Sequence, residues 1–222
     1  MKVVCVGCSF TDGLLQYQTK HHGTYPYILG RLLPEATIYN LGHKGSDNLF
    51  SLIMIEQAIK EIQPDVIVRQ VASPQRFFIV KPDINVNFFE FVKNIVLNYN
   101  ALDKKKLQHF INFFTPTTGV GKLYDEKTQD NLRNMHFRYH NLMLSQYQTD
   151  AYLNYGDILM EQNKIKNVTF SWLKNNKYKD CVSIEETIGF NENYLCDPQG
   201  HFNAEGNALV AEQVKNMIME KR

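Results

Sequence analysis

The amino-terminal third of the chain alternates short β-branched runs with helical stretches, and this order constrains the fold more than any other feature. The predicted elements, in chain order, are a strand at 2–6, a helix at 24–33, a strand at 36–41, a helix from 46 or 47 to 62 and a strand at 65–71. Pro34 and Pro64 end the two helices. Successive strand–helix–strand units form parallel pairs with right-handed crossovers. The sequence therefore predicts a three-layer α/β/α fold around a central, mostly parallel sheet.

The pattern changes after the third strand. Residues 83–166 are rich in Asn, Phe, Tyr and Leu, and are predicted to form a mainly helical insertion. The elements predicted after the third strand are a loop at 115–121, a helix at 130–164, a strand at 168–173, a short strand or an extended segment at 181–184, and a last helix from Ala204 with Asn203 as its cap. Because the 222 residues contain no repeat or low-complexity linker, we expect one domain spanning 1–222.

Charge and hydropathy argue against several function classes. The formal net charge is +1, so the total charge does not favour a nucleic-acid or anionic-membrane partner. The first apolar run is too short for a signal peptide, and no later run is long enough to span a membrane.

His136 and His140 have helical metal-pair spacing but lack the acidic residue of a zinc motif. We expect a soluble, cytoplasmic protein with reduced thiols and no metal.

Three polar loops that contain glycine follow predicted strands or precede the last helix. They span residues 7–13, 40–48 and 196–206. In an open parallel sheet, functional loops gather at the carboxyl ends of the strands. Together these loops offer a serine, backbone N–H groups, an aspartate and a histidine. Acyl transfer requires these groups as nucleophile, oxyanion donors, orienting acid and base.

The same loops resemble the conserved blocks of the SGNH/GDSL hydrolases, a superfamily of serine esterases and deacetylases with a flavodoxin-like fold. Gly7-Cys-Ser-Phe-Thr-Asp-Gly13 is similar to the block that carries the nucleophile. Asn40-Leu-Gly-His-Lys-Gly-Ser46 resembles the block N-x-G-x-x-G, and Asp197-Pro-Gln-Gly-His201 resembles the last block. The order of the three blocks along the chain is also that of the family.

The resemblance implies a role for each block. Ser9 is the expected nucleophile and His201 its base. Asp197 is expected to orient His201, and Gly42 to donate an oxyanion-hole N–H. An ester would be cleaved through an acyl-serine intermediate, without any cofactor.

The chain departs from the family pattern within two of these blocks. Cys8 replaces the aspartate that usually precedes the nucleophile, so its thiol is an alternative reactive group. Asp197 stands four positions before His201, whereas three is usual in the family. A backbone carbonyl is the alternative partner that would orient the histidine.

A fourth family block, G-x-N-D, is absent. Its Asn donates to the oxyanion, and the equivalent place falls in residues 69–76. We predict that Gln70 or Ser73 supplies the missing donor. Arg76 is predicted to hold a charged substrate or a carboxylate.

The predicted function is hydrolysis of a carboxylic ester, with a carbohydrate acetyl ester as one possible substrate. The expected partner is a small-molecule or glycan ester, with neither nucleic acid nor membrane. The alternative is a hydrolase-like protein that binds a glycan or a protein without turnover. The missing block and the altered Asp–His spacing favour this alternative.

Overall fold

A computed structural model describes residues 1–12, 23–80, 88–97, 111–115, 119–120, 127, 130, 134, 142–171, 178, 181–187, 194 and 201–220. The elements in chain order are β1 (Lys2–Val6), α1 (Ser9–Asp12), α2 (Tyr25–Leu32), β2 (Thr37–Asn40), α3 (Asn48–Glu61), β3 (Val66–Val71), β4 (Phe77–Val80), α4 (Phe88–Leu97), β5 (Ile111–Thr115), β6 (Gly119–Val120), α5 (Leu142–Gln162), β7 (Lys166–Ser171), β8 (Val182–Ser183), α6 (Ile184–Thr187) and α7 (Ala204–Met219).

Five strands form a parallel sheet in the order β2-β1-β3-β7-β8. Each neighbouring pair is parallel, and β1 and β3 lie side by side with Val4 opposite Ile67. The predicted fold with a mostly parallel central sheet is confirmed. Its strands lie within two residues of their predicted positions, because buried parallel strands are near-continuous apolar runs.

Helices cover both faces of this sheet, and the strand residues alternate between two cores. Val4 and Val6 of β1 belong to the core shared with α3, α4 and α5. Val3 and Cys5 belong to the core shared with α2 and α7. This alternation follows from the two-residue period of a strand and gives the predicted three layers. No described helix is long and apolar enough to cross a lipid bilayer.

A second, antiparallel sheet has the order β4-β5-β6. Phe77 of β4 pairs with Phe114 of β5, and Thr115 pairs with Gly119 of β6. The loop predicted at 115–121 was therefore wrong at Thr115 and at β6. The INFFT run of β5 has high β propensity, but its partner strand lies far back in the chain and gives no local signal. The strongest predicted helix of the insertion, at 130–164, is confirmed over Leu142–Gln162, and residues 131–133 and 135–141 lie outside the described part of the chain.

Candidate active site

Ser9 is the first residue of α1, directly after the turn that ends β1. Gly7 lies in this turn with a φ of +155°, a conformation that side chains disfavour. The backbone N–H groups of Thr11 and Asp12 both donate to the carbonyl of Cys8, each over 3.0 Å. Strand, tight turn and helix together hold the Ser9 side chain at the carboxyl edge of the sheet.

The structure brings Ser9 together with His201, as predicted. Ser9 Oγ lies 2.9 Å from His201 Nε2, although 192 positions separate the residues. Both residues are nearly buried, with 6% of Ser9 and 5% of His201 exposed. The ring of Phe10 stacks on the imidazole, with centroids 4.6 Å apart and planes inclined by 26°. A hydroxyl within hydrogen-bond distance of a fixed imidazole nitrogen has the geometry for proton removal.

The start of α7 positions His201. Asn203 caps this helix, as predicted, and its backbone N–H donates to the carbonyl of Tyr194 over 2.8 Å. Asn207 Nδ2 donates to the carbonyl of Phe202 over 3.1 Å, and its Oδ1 accepts from the backbone of Tyr25 on α2. Asn207 was not predicted, because a helical Asn looks exposed until a partner helix is known. This amide connects the histidine segment to the helix that follows the nucleophile turn.

The loop after β2 is connected to the nucleophile turn. The Gly7 carbonyl accepts from the His43 N–H over 2.9 Å and from Ser46 Oγ over 2.8 Å. Asp12 Oδ2 accepts from the backbone N–H of Lys44 over 3.1 Å. Hydrogen bonds to Gly7 and Asp12, at the two ends of the nucleophile turn, therefore hold the loop after β2 beside Ser9.

Two glycines in this second loop differ in what their N–H groups do. The Gly42 N–H, predicted to face an oxyanion, donates to Asn40 Oδ1 over 3.0 Å. A Cβ on Gly42 would lie 2.6 Å from Thr11 Cγ2, so Gly42 permits close packing against α1. Gly45 has a φ of +81° in the turn at 43–46, as at the third position of a type II turn. Among the described residues no acceptor bonds the Gly45 N–H. The position of Gly45 as the second glycine of N-x-G-x-x-G is the sequence signal that could have identified it as a candidate oxyanion donor.

Of the residues predicted to replace the missing Asn, Gln70 lies near the end of β3 and Ser73 in the turn after it. Gln70 is 1% exposed, and its Oε1 accepts from the Cys8 N–H over 2.9 Å while its Nε2 donates to the Val71 carbonyl over 2.8 Å. Gln70 therefore supports the nucleophile turn with both ends of its amide. Ser73 and Arg76 share a half-buried turn, in which the Arg76 N–H donates to the Ser73 carbonyl over 3.1 Å.

Solved structures resemble this chain in fold. No family model and no curated protein matches the chain. Among solved structures it is similar to the psychrotrophic esterase EstA from Pseudoalteromonas sp., with a TM-score of 0.55 and 7% identity over 98% of this chain and 96% of that chain. The chain has the SGNH hydrolase fold.

Two further solved structures are similar at lower TM-scores. A GDSL-like lipase from Bacteroides thetaiotaomicron has a TM-score of 0.45 and 14% identity over 98% of this chain and 87% of that chain. A family 3 carbohydrate esterase from Clostridium thermocellum has a TM-score of 0.43 and 14% identity over 98% of this chain and 97% of that chain.

Cys5 of β1 and Cys8 of the nucleophile turn are free thiols in this SGNH fold, in the C-x-x-C spacing of some redox sites. Burial raises the pKa of Cys5 to about 12, and a hydrogen bond with Tyr25 lowers this pKa by a smaller amount. Cys8 is 1% exposed, and the side chain that reaches His201 is that of Ser9. A thiol with such a raised pKa is not an activated nucleophile, so Cys5 is a core residue.

Three of the residues considered for a role in catalysis or metal binding lie outside the described part of the SGNH fold. Asp197 remains a predicted orienting residue, and the His136–His140 pair is likewise outside. Within the part of the chain that the structure describes, no group of three His, Cys, Asp or Glu side chains could hold a metal ion.

Proposed function

We propose that this chain is a divergent SGNH-type serine hydrolase that cleaves carboxylic esters through an acyl-serine. The contact of 2.9 Å between Ser9 Oγ and His201 Nε2 carries this proposal. The position of the pair at the carboxyl edge of a parallel sheet supports it, because active sites of open α/β sheets lie there.

The proposed reaction has two halves. His201 Nε2 takes the proton of Ser9 as Oγ bonds to the ester carbonyl carbon. The carbon–oxygen bond to the alcohol then breaks, and the proton on Nε2 passes to the leaving oxygen. In the second half, water gives a proton to Nε2 and attacks the acyl-serine. The carboxylic acid leaves and Ser9 recovers its proton. Asp197 is the proposed partner that keeps the imidazole in the required tautomer.

We assign the oxyanion donors to three loops. The Ser9 N–H is the first of α1 and has no acceptor within that helix. The Gly45 N–H is a second donor, from the loop after β2. The Ser73 hydroxyl is the proposed replacement for the missing Asn, because the amide of Gln70 already bonds backbone groups at both ends.

The burial of the catalytic pair favours a small acyl group. Ser9 and His201 are each no more than 6% exposed, and this burial is the observation from which we infer a short acyl chain. We propose an acetyl or similarly short ester of a small molecule or a glycan.

Hydrolysis of 4-nitrophenyl acetate and labelling by a fluorophosphonate test the proposal. We expect Ser9→Ala to abolish both, and His201→Gln to lower kcat by about 10²- to 10⁴-fold because the base is removed. Ser51→Ala, at a buried serine of α3, is the matched control and should retain activity. Cys8→Ala should retain fluorophosphonate labelling.

Other outcomes would reject the proposal. If the folded protein neither hydrolyses the ester nor reacts with the fluorophosphonate, the chain is a hydrolase-like binding protein. If Ser9→Ala retains turnover and Cys8→Ala loses it, the nucleophile is the thiol.

A further inference from the structure

Three buried polar atoms make no hydrogen bond in the described part of the chain. They are Arg76 Nη1, Ser145 Oγ and Tyr178 Oη. Buried donors and acceptors are almost always bonded, so each exception indicates a strained group or a missing partner such as water or a ligand. That all three lie at one edge of the fold favours a missing ligand.

The topology places all three atoms at the carboxyl edge, where Ser9 lies. Arg76 is in the turn after β3, and Tyr178 follows the end of β7. Ser145 is in the first turns of α5, a helix that leads into the amino end of β7. Because the helix runs opposite to the strands, its first turns lie at the same edge as Ser9.

Contacts join the segments that carry these atoms. Asn48 Nδ2 donates to the carbonyl of Ala72 over 3.0 Å and to Thr149 Oγ1 over 3.3 Å. Asn48 thus connects the end of β3 to α5 one turn beyond Ser145. Tyr178 packs in a small apolar cluster with Val71, the last residue of β3. The end of β3, the start of α5 and Tyr178 therefore lie together, and the turn that carries Arg76 follows directly after this end of β3.

Two arginines near this region differ in their partners. Arg69 of β3 uses all its guanidinium nitrogens, on Thr169, on the carbonyl of Leu153 and on the carboxylate of Asp157. No described carboxylate lies within ion-pair distance of Arg76. Arg76 is thus a half-buried cation without a counter-charge among the described residues.

The hydroxyl of Tyr178 is neutral at physiological pH. Burial raises its pKa to about 12, and the charge of Asp150 adds to this. The side chains of Gln146 and Thr149 lie close enough to oppose the shift, but neither forms a hydrogen bond of proper geometry with the hydroxyl. A neutral hydroxyl next to an acidic side chain can still donate to a ligand oxygen.

We propose that Arg76, Ser145 and Tyr178 form a subsite that binds an anionic oxygen group of the substrate. The inference rests on the proposed ester hydrolysis and names its substrate class, an ester that carries a carboxylate or another oxyanion. A guanidinium donates two parallel N–H bonds to such a group, and the two hydroxyls donate the remaining bonds.

The test compares neutral 4-nitrophenyl acetate with two esters that carry a carboxylate. In mono-4-nitrophenyl succinate the carboxylate is in the acyl group, and in 4-acetoxybenzoate it is in the alcohol group. In Arg76→Gln we expect KM for at least one carboxylate ester to rise about 10- to 100-fold, the usual effect of losing a charged hydrogen bond, with less than about a twofold change for the acetate. Arg76→Lys should recover part of the loss. Arg31→Gln, at an exposed arginine near the end of α2, is the matched control and should change neither.

The two hydroxyls provide an independent readout. Ser145→Ala and Tyr178→Phe should raise KM for the same carboxylate ester while Tm stays constant or rises, because each removes an unpaired buried hydroxyl. A purely structural role of either hydroxyl would lower Tm and leave KM unchanged, which contradicts the proposal.

The remaining outcomes separate this inference from the proposed function. Equal KM values for neutral and charged esters, unchanged in Arg76→Gln, overturn the subsite and leave the hydrolase intact. Weaker binding of neutral sugar acetates in the two hydroxyl variants, with no effect of Arg76→Gln, also overturns it. If the wild type cleaves no ester, the hydrolase proposal fails. In that case the anion site is tested by the change in Tm that monomethyl succinate causes. A rise in Tm that is seen in the wild type and lost in Arg76→Gln supports the site. No rise in Tm of the wild type rejects it.

Discussion

Gln70 Oε1 accepts a hydrogen bond of 2.9 Å from the backbone N–H of Cys8, the residue before the nucleophile. The other end of the same amide donates to the carbonyl of Val71 over 2.8 Å. The amide orientation is unambiguous, because an N–H needs an acceptor at one end and a carbonyl needs a donor at the other. The central strand β3 thus fixes the turn that presents Ser9.

Replacing Gln70 by Leu should loosen this turn. The Cys8 N–H would lose its acceptor in a buried place, at a cost of about 1–3 kcal/mol in the free energy of unfolding. We expect kcat to fall more than KM rises, because Ser9 loses its orientation. Gln70→Glu keeps an acceptor for Cys8 and should retain more activity than Gln70→Leu. Urea unfolding and steady-state kinetics measure both, and the reverse order of activities would contradict the role assigned to Gln70.

The elements of the central sheet could be predicted because their signals are local. β1 and β3 are apolar runs bounded by glycine or proline. Asn203 caps the last helix as predicted, and of the two candidates Ser46 and Asp47 it is Asp47 that caps α3. The partnership of Ser9 with His201 could be predicted only from the order of motifs, since no local rule links residues so far apart.

The hydrogen-bond partners of the predicted donors could not be derived from the sequence. Gly42 and Gln70 each have a donor of the expected kind, but Asn40 and Val71 engage those donors in the structure. Which acceptor a donor meets depends on loop geometry that a motif does not encode. The pairing of β4 with β5 was missed for a related reason, because strand partners distant in sequence leave no periodic signal.

Two helical glycines should respond to alanine with opposite signs. A Cβ on Gly156 of α5 would lie 2.6 Å from Arg69 Nη1, the atom that donates to the Leu153 carbonyl. Gly156→Ala should therefore displace a buried, paired guanidinium and lower the free energy of unfolding by roughly 1–3 kcal/mol. A Cβ on Gly30 of α2 would lie 3.3 Å from a carbon of Ile38. Gly30→Ala should leave stability unchanged or raise it by up to about 1 kcal/mol, because alanine favours helix.

Urea unfolding of the two alanine variants provides the comparison. If Gly156→Ala is as stable as Gly30→Ala, the guanidinium of Arg69 can move without lowering the free energy of unfolding. The hydrogen bonds and ion pair of Arg69 then do not stabilise the fold. Fluorophosphonate labelling of Ser9 should persist in both folded variants.

Alanine at Gly42 should impair catalysis more than stability. The added Cβ would lie 2.6 Å from Thr11 Cγ2 and 2.7 Å from the backbone nitrogen of Asp12. Because the backbone of α1 cannot move aside, the loop that carries Gly42 would be displaced away from Ser9. A displacement of this kind lowers kcat by about 10²-fold. The measurement is kcat for 4-nitrophenyl acetate, with Gly30→Ala as the control. Wild-type kcat in Gly42→Ala would show that the loop position does not matter for turnover.

The core thiol of Cys5 should make the fold sensitive to alkali. Burial raises its pKa from 9.0 to about 12, so between these pH values the folded chain keeps a proton that the unfolded chain has lost. The contribution of this thiol is complete below pH 9 and decreases as the pH rises, by about 1.4 kcal/mol per pH unit in the free energy of unfolding. Cys5→Ser removes the titrating group, so its unfolding free energy should fall less steeply between pH 9 and pH 10.5 in urea titrations. Parallel slopes for wild type and Cys5→Ser would mean that the thiol is already solvated in the folded chain, against its complete burial beside Tyr25 and β3.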